Sequence, residues 1–426
     1  MSTVSTMTSP APTVAGGSDA PTAAAAEPAP RTRPRGQRYP LDSIRAIAAL
    51  TVIFFHAYQN NWIDGVYPWS GLPHAAMMTS DLAVDLFFVI SGFLLWIPVS
   101  RSLLAGVPQR PGRQLIMRRA VRLLPLYTLV LLIAWALANP VLPGNWQDLV
   151  AHLTMTQVYS DTYIFWTLGP SWTLAIEFHA FLAVALMLPL ISRVTPYLAT
   201  RGQRLAVAAG IPLVIGTIGI SFLSYHMFVA HTPHTNWSIW FGPVAKMHLF
   251  AFGMLLAVLC AAGLRLGRPA RRAILLTAAV AVVAGVLARA QMDQGMAELL
   301  HIPFGLLAAA VLGTIVLTRD DQPRWLMWGP TVWIGALSYS LYLVHEPILK
   351  ALRSNGLLPA AGTTVGVLVT AALLIALAVV VARIVNALIE KPVMQAYDGL
   401  QRVPDRYAEV GSEPSYSRIG SDPSPA

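Results

Sequence analysis

The stretch Leu41–Tyr58, LDSIRAIAALTVIFFHAY, carries Arg45 and His56 inside an otherwise apolar run. An ionisable group at mid-bilayer costs at least ~2.5–3.5 kcal/mol on insertion scales, so each one needs a reason. If the run is helical, the two residues lie about 16 Å apart along the axis, at 1.5 Å per residue. At about 100° per residue they return to within about 20° of the same face. They therefore line one stripe at two depths. Histidine takes a proton readily near neutral pH, which makes His56 a candidate general base. A guanidinium holds phosphate or stabilises developing negative charge, which makes Arg45 a candidate partner. The plainer alternatives are that Arg45 snorkels to the interface and that His56 is a satisfied interfacial histidine.

Other polar residues stand in apolar surroundings. In DLAVDLFFVISGFLL, Asp85 lies within the run, with Ser91 and Gly92 below it. Asp81 suits a helix-start carboxylate near the N-terminal dipole better than Asp85 does. A buried aspartate needs a partner, and a His56–Asp85 pair is geometrically possible. RRAVRLLPLY clusters Arg118, Arg119 and Arg122, with Arg118 and Arg122 on one face and Arg119 beside them. These arginines read either as topology anchors or as a phosphate site. PSWTLAIEFHAFL places Glu177 and His179 in an apolar run, and Glu177 should point into the bundle. GALSYSLYLVHEPI contributes Tyr339, Tyr342, His345 and Glu346. Tyr342 and His345 share a face and are candidate substrate contacts; an aromatic belt explains the tyrosines alone. His226, His231 and His234 have no diagnostic metal spacing, so a wet loop is the simpler reading and no metal site is predicted. Cys260, the one cysteine, reads as a small core residue.

The elements that must position these residues are apolar helices. Of 426 residues, 55% are hydrophobic and 12% charged, with mean hydropathy +0.58. A soluble chain carries about 25% charged residues. Ten apolar segments span about 41–59, 81–99, 120–139, 171–191, 205–225, 244–262, 272–289, 302–318, 331–349 and 364–388. The expected fold is all-α: a polytopic membrane bundle of about ten helices over 39–392. Residues 1–38 and 393–426 are expected to be disordered tails, and the first of these lacks the pattern of a signal peptide.

With ten crossings and an inner N-terminus, nearly all basic residues fall on the inner side. Only Arg289, Lys350 and Arg353 lie at outer edges, and Arg45, Lys246 and Arg383 lie within segments. This asymmetry predicts both termini cytoplasmic in a multi-pass plasma-membrane protein. The net charge of +9 is explained by such loops, and no nucleic acid is expected as a partner. No fixed-period repeat is present. A transporter or flippase of a lipid-linked sugar or metabolite is the alternative class, since it also uses intramembrane charge. A scaffold would leave the buried charges unexplained.

Five of these motifs, in order, resemble the acyltransferase-3 family of integral membrane O-acyltransferases: LDSIRAIAALTVIFFHA, VDLFFVISGFLL, RRAVRLLPLY, SWTLAIE and SYSLYLVH. The resemblance covers about residues 38–392. It implies transfer of an acyl group, often acetyl, from cytoplasmic acyl-coenzyme A to a hydroxyl of an envelope glycan or another sugar-containing acceptor. No bound cofactor is expected; the coenzyme A thioester is a substrate. By this resemblance Arg45 and His56 match the family's Arg-x10-His signature. Arg118, Arg119 and Arg122 match its basic motif, and Glu177 matches its Trp-x4-Glu glutamate, counted from Trp172. Ala180 and Phe181 stand where the family often has Phe-Tyr. Lys246 stands where arginine is common, as a donor contact without the bidentate fork. No appended esterase-like domain is visible. In this reading His56 is the base, Asp85 or Glu177 orients it, and the arginines hold the donor's phosphates. An extended pantetheine arm has a reach comparable to the ~16 Å from Arg45 to His56. An acyl-histidine intermediate is an open alternative.

Overall fold

The computed structural model describes residues 40–63, 66–318 and 323–401. Sixteen α-helices succeed one another among them: α1 Asp42–Gln59, α2 Gly71–Thr79, α3 Ala83–Ala105, α4 Gly112–Ala138, α5 Trp146–Leu153, α6 Ser171–Val194, α7 Arg201–Phe228 and α8 Trp237–Trp240, then α9 Pro243–Ala262, α10 Arg268–Arg289, α11 Gln294–Ala297, α12 His301–Val316, α13 Gly329–Ala336, α14 Ser338–Ser354, α15 Thr364–Val385 and α16 Lys391–Gln401. A π-helical turn, Asn386–Glu390, joins α15 to α16. No strand forms among the described residues, and only Ile63 and Val66 make an isolated bridge. A helix satisfies its own backbone, which is what a lipid environment demands.

All ten expected apolar segments are helical. Eight helical stretches, containing α3, α4, α6, α7, α9, α10, α12 and α15, are long and apolar enough to cross a membrane by length and composition. The other two do not meet that measure, so the count of ten is not confirmed. α1 carries Asp42, Arg45 and His56. The segment 331–349 is divided at Leu337 between α13 and α14. The polar residues of α1 lower its hydropathy, and α13 and α14, of 8 and 17 residues, are each too short. The fold class itself, a polytopic all-α bundle, is the observed one. α16 carries the helix to Gln401, nine residues beyond the expected boundary at 392. The tail calls for 1–38 and 402–426 lie outside the described residues.

The bundle is built around α3 and α9. Over their apolar windows, Trp237–Ala262 is 67% buried in the protein while Arg268–Arg289 is only 11% buried. α9 is therefore interior and α10 peripheral. Lipid tails are as apolar as leucine, so helices in a bilayer associate through close packing rather than apolar burial. Gly92 of α3 and Gly253 of α9 permit that approach. A Cβ at Gly92 would run into the Phe250 carbonyl. One at Gly253 would meet the Val89 carbonyl oxygen and lie 2.8 Å from the Phe93 nitrogen. Both obstacles are backbone, so neither can swing aside.

This close contact predicts the outcome of enlarging either glycine. Gly253→Leu should destabilise by at least the ~1–3 kcal/mol typical of overpacking, lowering the thermal unfolding midpoint in detergent. Gly210→Leu in α7, where a Cβ has open space, should leave the midpoint close to that of the parent protein. Equal midpoints for both variants would contradict the α3–α9 contact.

Candidate active site

His56 is near the C-terminal end of α1, and His345 is in the second turn of α14. His345 Nε2 lies 2.9 Å from His56 Nδ1, and the ring centroids are 4.9 Å apart. His345 Nδ1 lies 2.7 Å from the Tyr342 carbonyl oxygen. A carbonyl only accepts, so His345 Nδ1–H is the donor there. For neutral rings the rest follows: His345 Nε2 accepts from His56 Nδ1–H, and His56 Nε2 keeps its lone pair. His56 is half-buried and lines a cavity, whereas His345 is completely buried.

Sequence reasoning placed His345 among the substrate contacts. Its burial behind His56 corrects that: His345 holds the His56 tautomer and has no surface to offer a substrate. The expected carboxylate partners of His56 are also corrected. Both oxygens of Asp85 bond His301 Nδ1, at 2.8 and 2.9 Å. Glu177 pairs with Arg119 and accepts from Ser91. Both carboxylates are already engaged by groups on other helices.

At the Arg45 end of the bundle, a cavity of about 90 Å³ is lined by Arg45, Arg119, Arg122, Ser91, Glu177 and Tyr339 among others. Arg119 also lies 4.6 Å from the Phe181 ring centre, so the residue standing in for the family's tyrosine supplies a flat face to the guanidinium. The Arg119 Nε is buried without a partner. Arg45 and Arg122 line the cavity and make no ion pair among the described residues. Arg118 does not join them. It is on the outer side of α4, 68% exposed, 3.8 Å from Asp398 of α16. The stripe facing the cavity runs through Arg119 and Arg122, one position off Arg118, and a step of about 100° turns it out.

At the His56 end, a larger cavity of about 420 Å³ is lined by His56, Gln59, Asp81, Trp172, Trp237, Phe241, Arg289, Glu298, His301 and Glu346, among others. Val84 and Tyr342 line both cavities. The Tyr342 and Thr173 hydroxyls are hydrogen-bonded at 3.0 Å. Tyr342, one of the two expected substrate contacts, is therefore at the junction between the two cavities.

Lys246 is at the opposite end from the arginines. It is fully buried near the start of α9, 3.1 Å from Glu298 and 4.9 Å from the Phe241 ring centre. Its expected place as a donor-phosphate contact is corrected: Glu298 already occupies its charge, and helix direction puts it beside the larger cavity. The histidines of the 226–243 loop do not converge. His226 bonds Thr232, and His234 is 3.4 Å from Glu298. Cys260 is buried, as expected of a core residue.

Sequence reading passed over Glu298, His301 and Glu390. The first two stand three positions apart just before the apolar run 302–318, whereas Asp85 drew attention by standing inside one. Glu390 sits at the π-helical turn, where it accepts from Ser340 and from Asn386 at 3.2 Å. π-turns often mark functional positions.

The family described as an acyltransferase domain matches residues 38–385. A protein of Komagataeibacter xylinus named "Putative membrane-bound transacylase BcsY" is 26% identical over 332 residues, covering 74% of this chain and 73% of the relative. No solved structure matches. The chain belongs to the acyltransferase-3 family and is an integral membrane enzyme that transfers an acyl group from a donor to an acceptor.

Proposed function

We propose that this protein is an O-acyltransferase that moves a short acyl group, such as acetyl, from acyl-coenzyme A to a hydroxyl of an envelope glycan or other sugar-containing acceptor. The observation that carries the reading is the His345–His56 hydrogen bond beside Tyr342, which lines both cavities. A base with a free lone pair thus stands on one cavity, and a cationic cavity adjoins it.

The donor enters from the Arg45 end, which this reading orients toward the cytoplasm with both termini. Arg119 and Arg122 hold its phosphate-bearing part by charge-assisted hydrogen bonds. Arg45 lies deeper along the same path and holds the polar pantetheine arm. The acceptor occupies the larger cavity. Its hydroxyl gives a proton to His56 Nε2 while the oxygen bonds the thioester carbon. The C–S bond then breaks, and the proton passes from His56 to the departing thiolate. His345 keeps Nδ1 of His56 occupied throughout, so that Nε2 is the atom that faces the reaction. The membrane concerned is the plasma membrane, consistent with the basic residues concentrated at one set of loops.

His56→Ala should lower acyl transfer by ~10²–10⁴-fold while the protein still inserts. The assay is incorporation of label from acetyl-coenzyme A into membrane glycan; undiminished incorporation would overturn the assignment of the base. His345→Ala should lower kcat more than it raises either KM, because it releases the His56 tautomer without touching substrate. Arg122→Ala should raise the KM for acyl-coenzyme A by about 10–150-fold, equivalent to ~1.5–3 kcal/mol. The acceptor KM should stay nearly constant, and an equal rise in both would count against a donor site at the arginines.

A further inference from the structure

The chain keeps little positive charge at its outer end. By the sequence reading only Arg289, Lys350 and Arg353 lie at outer edges, as expected where basic residues are held on the inner side. All three line cavities that border His56. Arg289 lines the larger cavity, while Lys350 and Arg353 line a further one of about 430 Å³ that also touches His56, Gln59 and Glu346. Two of the three are already engaged. Lys350 is bound to Glu346 at 3.0 Å and to the carbonyls of Trp166 and Thr167 at 3.2 Å each. Arg353 donates from Nη1 to the Asn60 carbonyl at 2.7 Å. Arg289 makes no hydrogen bond or ion pair among the described residues.

Arg289 is also turned toward the protein. It stands in the last turn of α10, whose buried residues are Ala278 and Gly285. At about 100° per residue it lies about 20° from Ala278 and about 40° from Gly285, away from the exposed Val280 and Val283. A guanidinium snorkelling to lipid headgroups would stand on the lipid-facing side of the helix; this one is half-buried and lines the cavity. Most carboxylates around it are matched elsewhere. Glu298 is held by Lys246 and His301, Asp85 by His301, and Glu346 by Lys350. Asp81 lines the same cavity within range of the Arg289 charge, yet makes no hydrogen bond or ion pair among the described residues. The walls thus present a guanidinium and a carboxylate whose hydrogen-bonding positions are both open. A guanidinium fork is satisfied best by the two oxygens of a carboxylate or phosphate, and a carboxylate is satisfied only by donors such as hydroxyls. A sugar that carries hydroxyls and one anionic group offers both. A neutral sugar leaves the guanidinium without a counter-charge.

We propose that Arg289 forms an anion subsite in the larger cavity, so that the acceptor is an acidic sugar bearing a carboxylate or phosphate group beside its hydroxyls. This rests on the larger cavity being the acceptor side of the transfer reaction. Arg289 is here a specificity-determining residue: it selects an anionic acceptor and takes no part in the proton transfer, which belongs to His56.

The test uses the full chain in phosphatidylcholine nanodiscs. Trp172 and Trp237 line the cavity, so tryptophan fluorescence is followed during titration with methyl glucuronide, glucose 6-phosphate, neutral methyl glucoside and inorganic phosphate. The first two separate a carboxylate from a phosphate as the anionic group. At least one of them should give saturable quenching, at least about 10-fold tighter than either methyl glucoside or inorganic phosphate. Arg289→Gln should weaken that binding by at least about 10-fold and leave coenzyme A binding unchanged, which also shows that the variant is folded. If Arg289→Gln loses coenzyme A binding too, Arg289→Lys replaces it. That variant keeps the charge without the fork, and should bind the acidic sugar more weakly than the parent while still preferring it to methyl glucoside. Equal or tighter binding of methyl glucoside or of inorganic phosphate, no quenching by either acidic sugar, or variants that bind like the parent would each overturn the proposal. Failure of the transfer reaction is read separately. Arg289-dependent binding without label incorporation from acetyl-coenzyme A retains the subsite and rejects the reaction; incorporation without such binding does the reverse.

Discussion

Charge buried at bilayer depth is the constraint on which this structure depends. Each ionised side chain there costs at least a few kcal/mol unless a partner offsets it. The bundle meets that cost in two places. At one end Arg119 is held by Glu177, which Ser91 also bonds. At the other, Lys246, Glu298, His301 and Asp85 form a connected set. Each set draws its members from several helices, so the same ion pairs that offset burial also hold the bundle together. Breaking one partner would strand the other, which is costlier than never having had the pair.

These two charged sets lie beside the two cavities. Between them stands Tyr342, common to both cavities, and beside it the two histidines. The close approach of α3 and α9 at Gly92 and Gly253 fixes the wall that carries Asp85 and Ser91 relative to the one that carries Lys246. Small residues there serve the cluster indirectly: a wider helix separation would pull Lys246 and Asp85 away from Glu298 and His301, which stand just before and at the start of α12.

Much of the site was legible because helical periodicity is local. The Arg45–His56 spacing puts both on one stripe whatever surrounds it, and the structure places both on cavities. Glu177 in an apolar run had to point inward, and it does. Arg118 was misread because helical periodicity puts it about 40° from Arg122 and about 100° from Arg119, close enough to share a face, and only packing against α6 and α14 decides which one turns out. Glu298 and His301 were overlooked although they share a helix face three positions apart. They lie at the edge of an apolar run, where a charge is ordinary and so attracts no attention.

By itself the sequence determined the helical class, the apolar segments and, for Arg45, His56 and Glu177, the helix side that turns inward, while the order of its motifs pointed to the family. The class and those faces follow from composition and from 3.6 residues per turn, and need no knowledge of neighbours. Tertiary structure alone decided the partners. His56 meets His345 across 289 positions of chain, and Asp85 meets His301 across 216. Several carboxylates and histidines lay at compatible depths, so depth could not choose among them. The choice rests on which helices pack side by side, and that is set by close contacts such as Gly92 and Gly253, whose effect is felt only once distant segments are brought together.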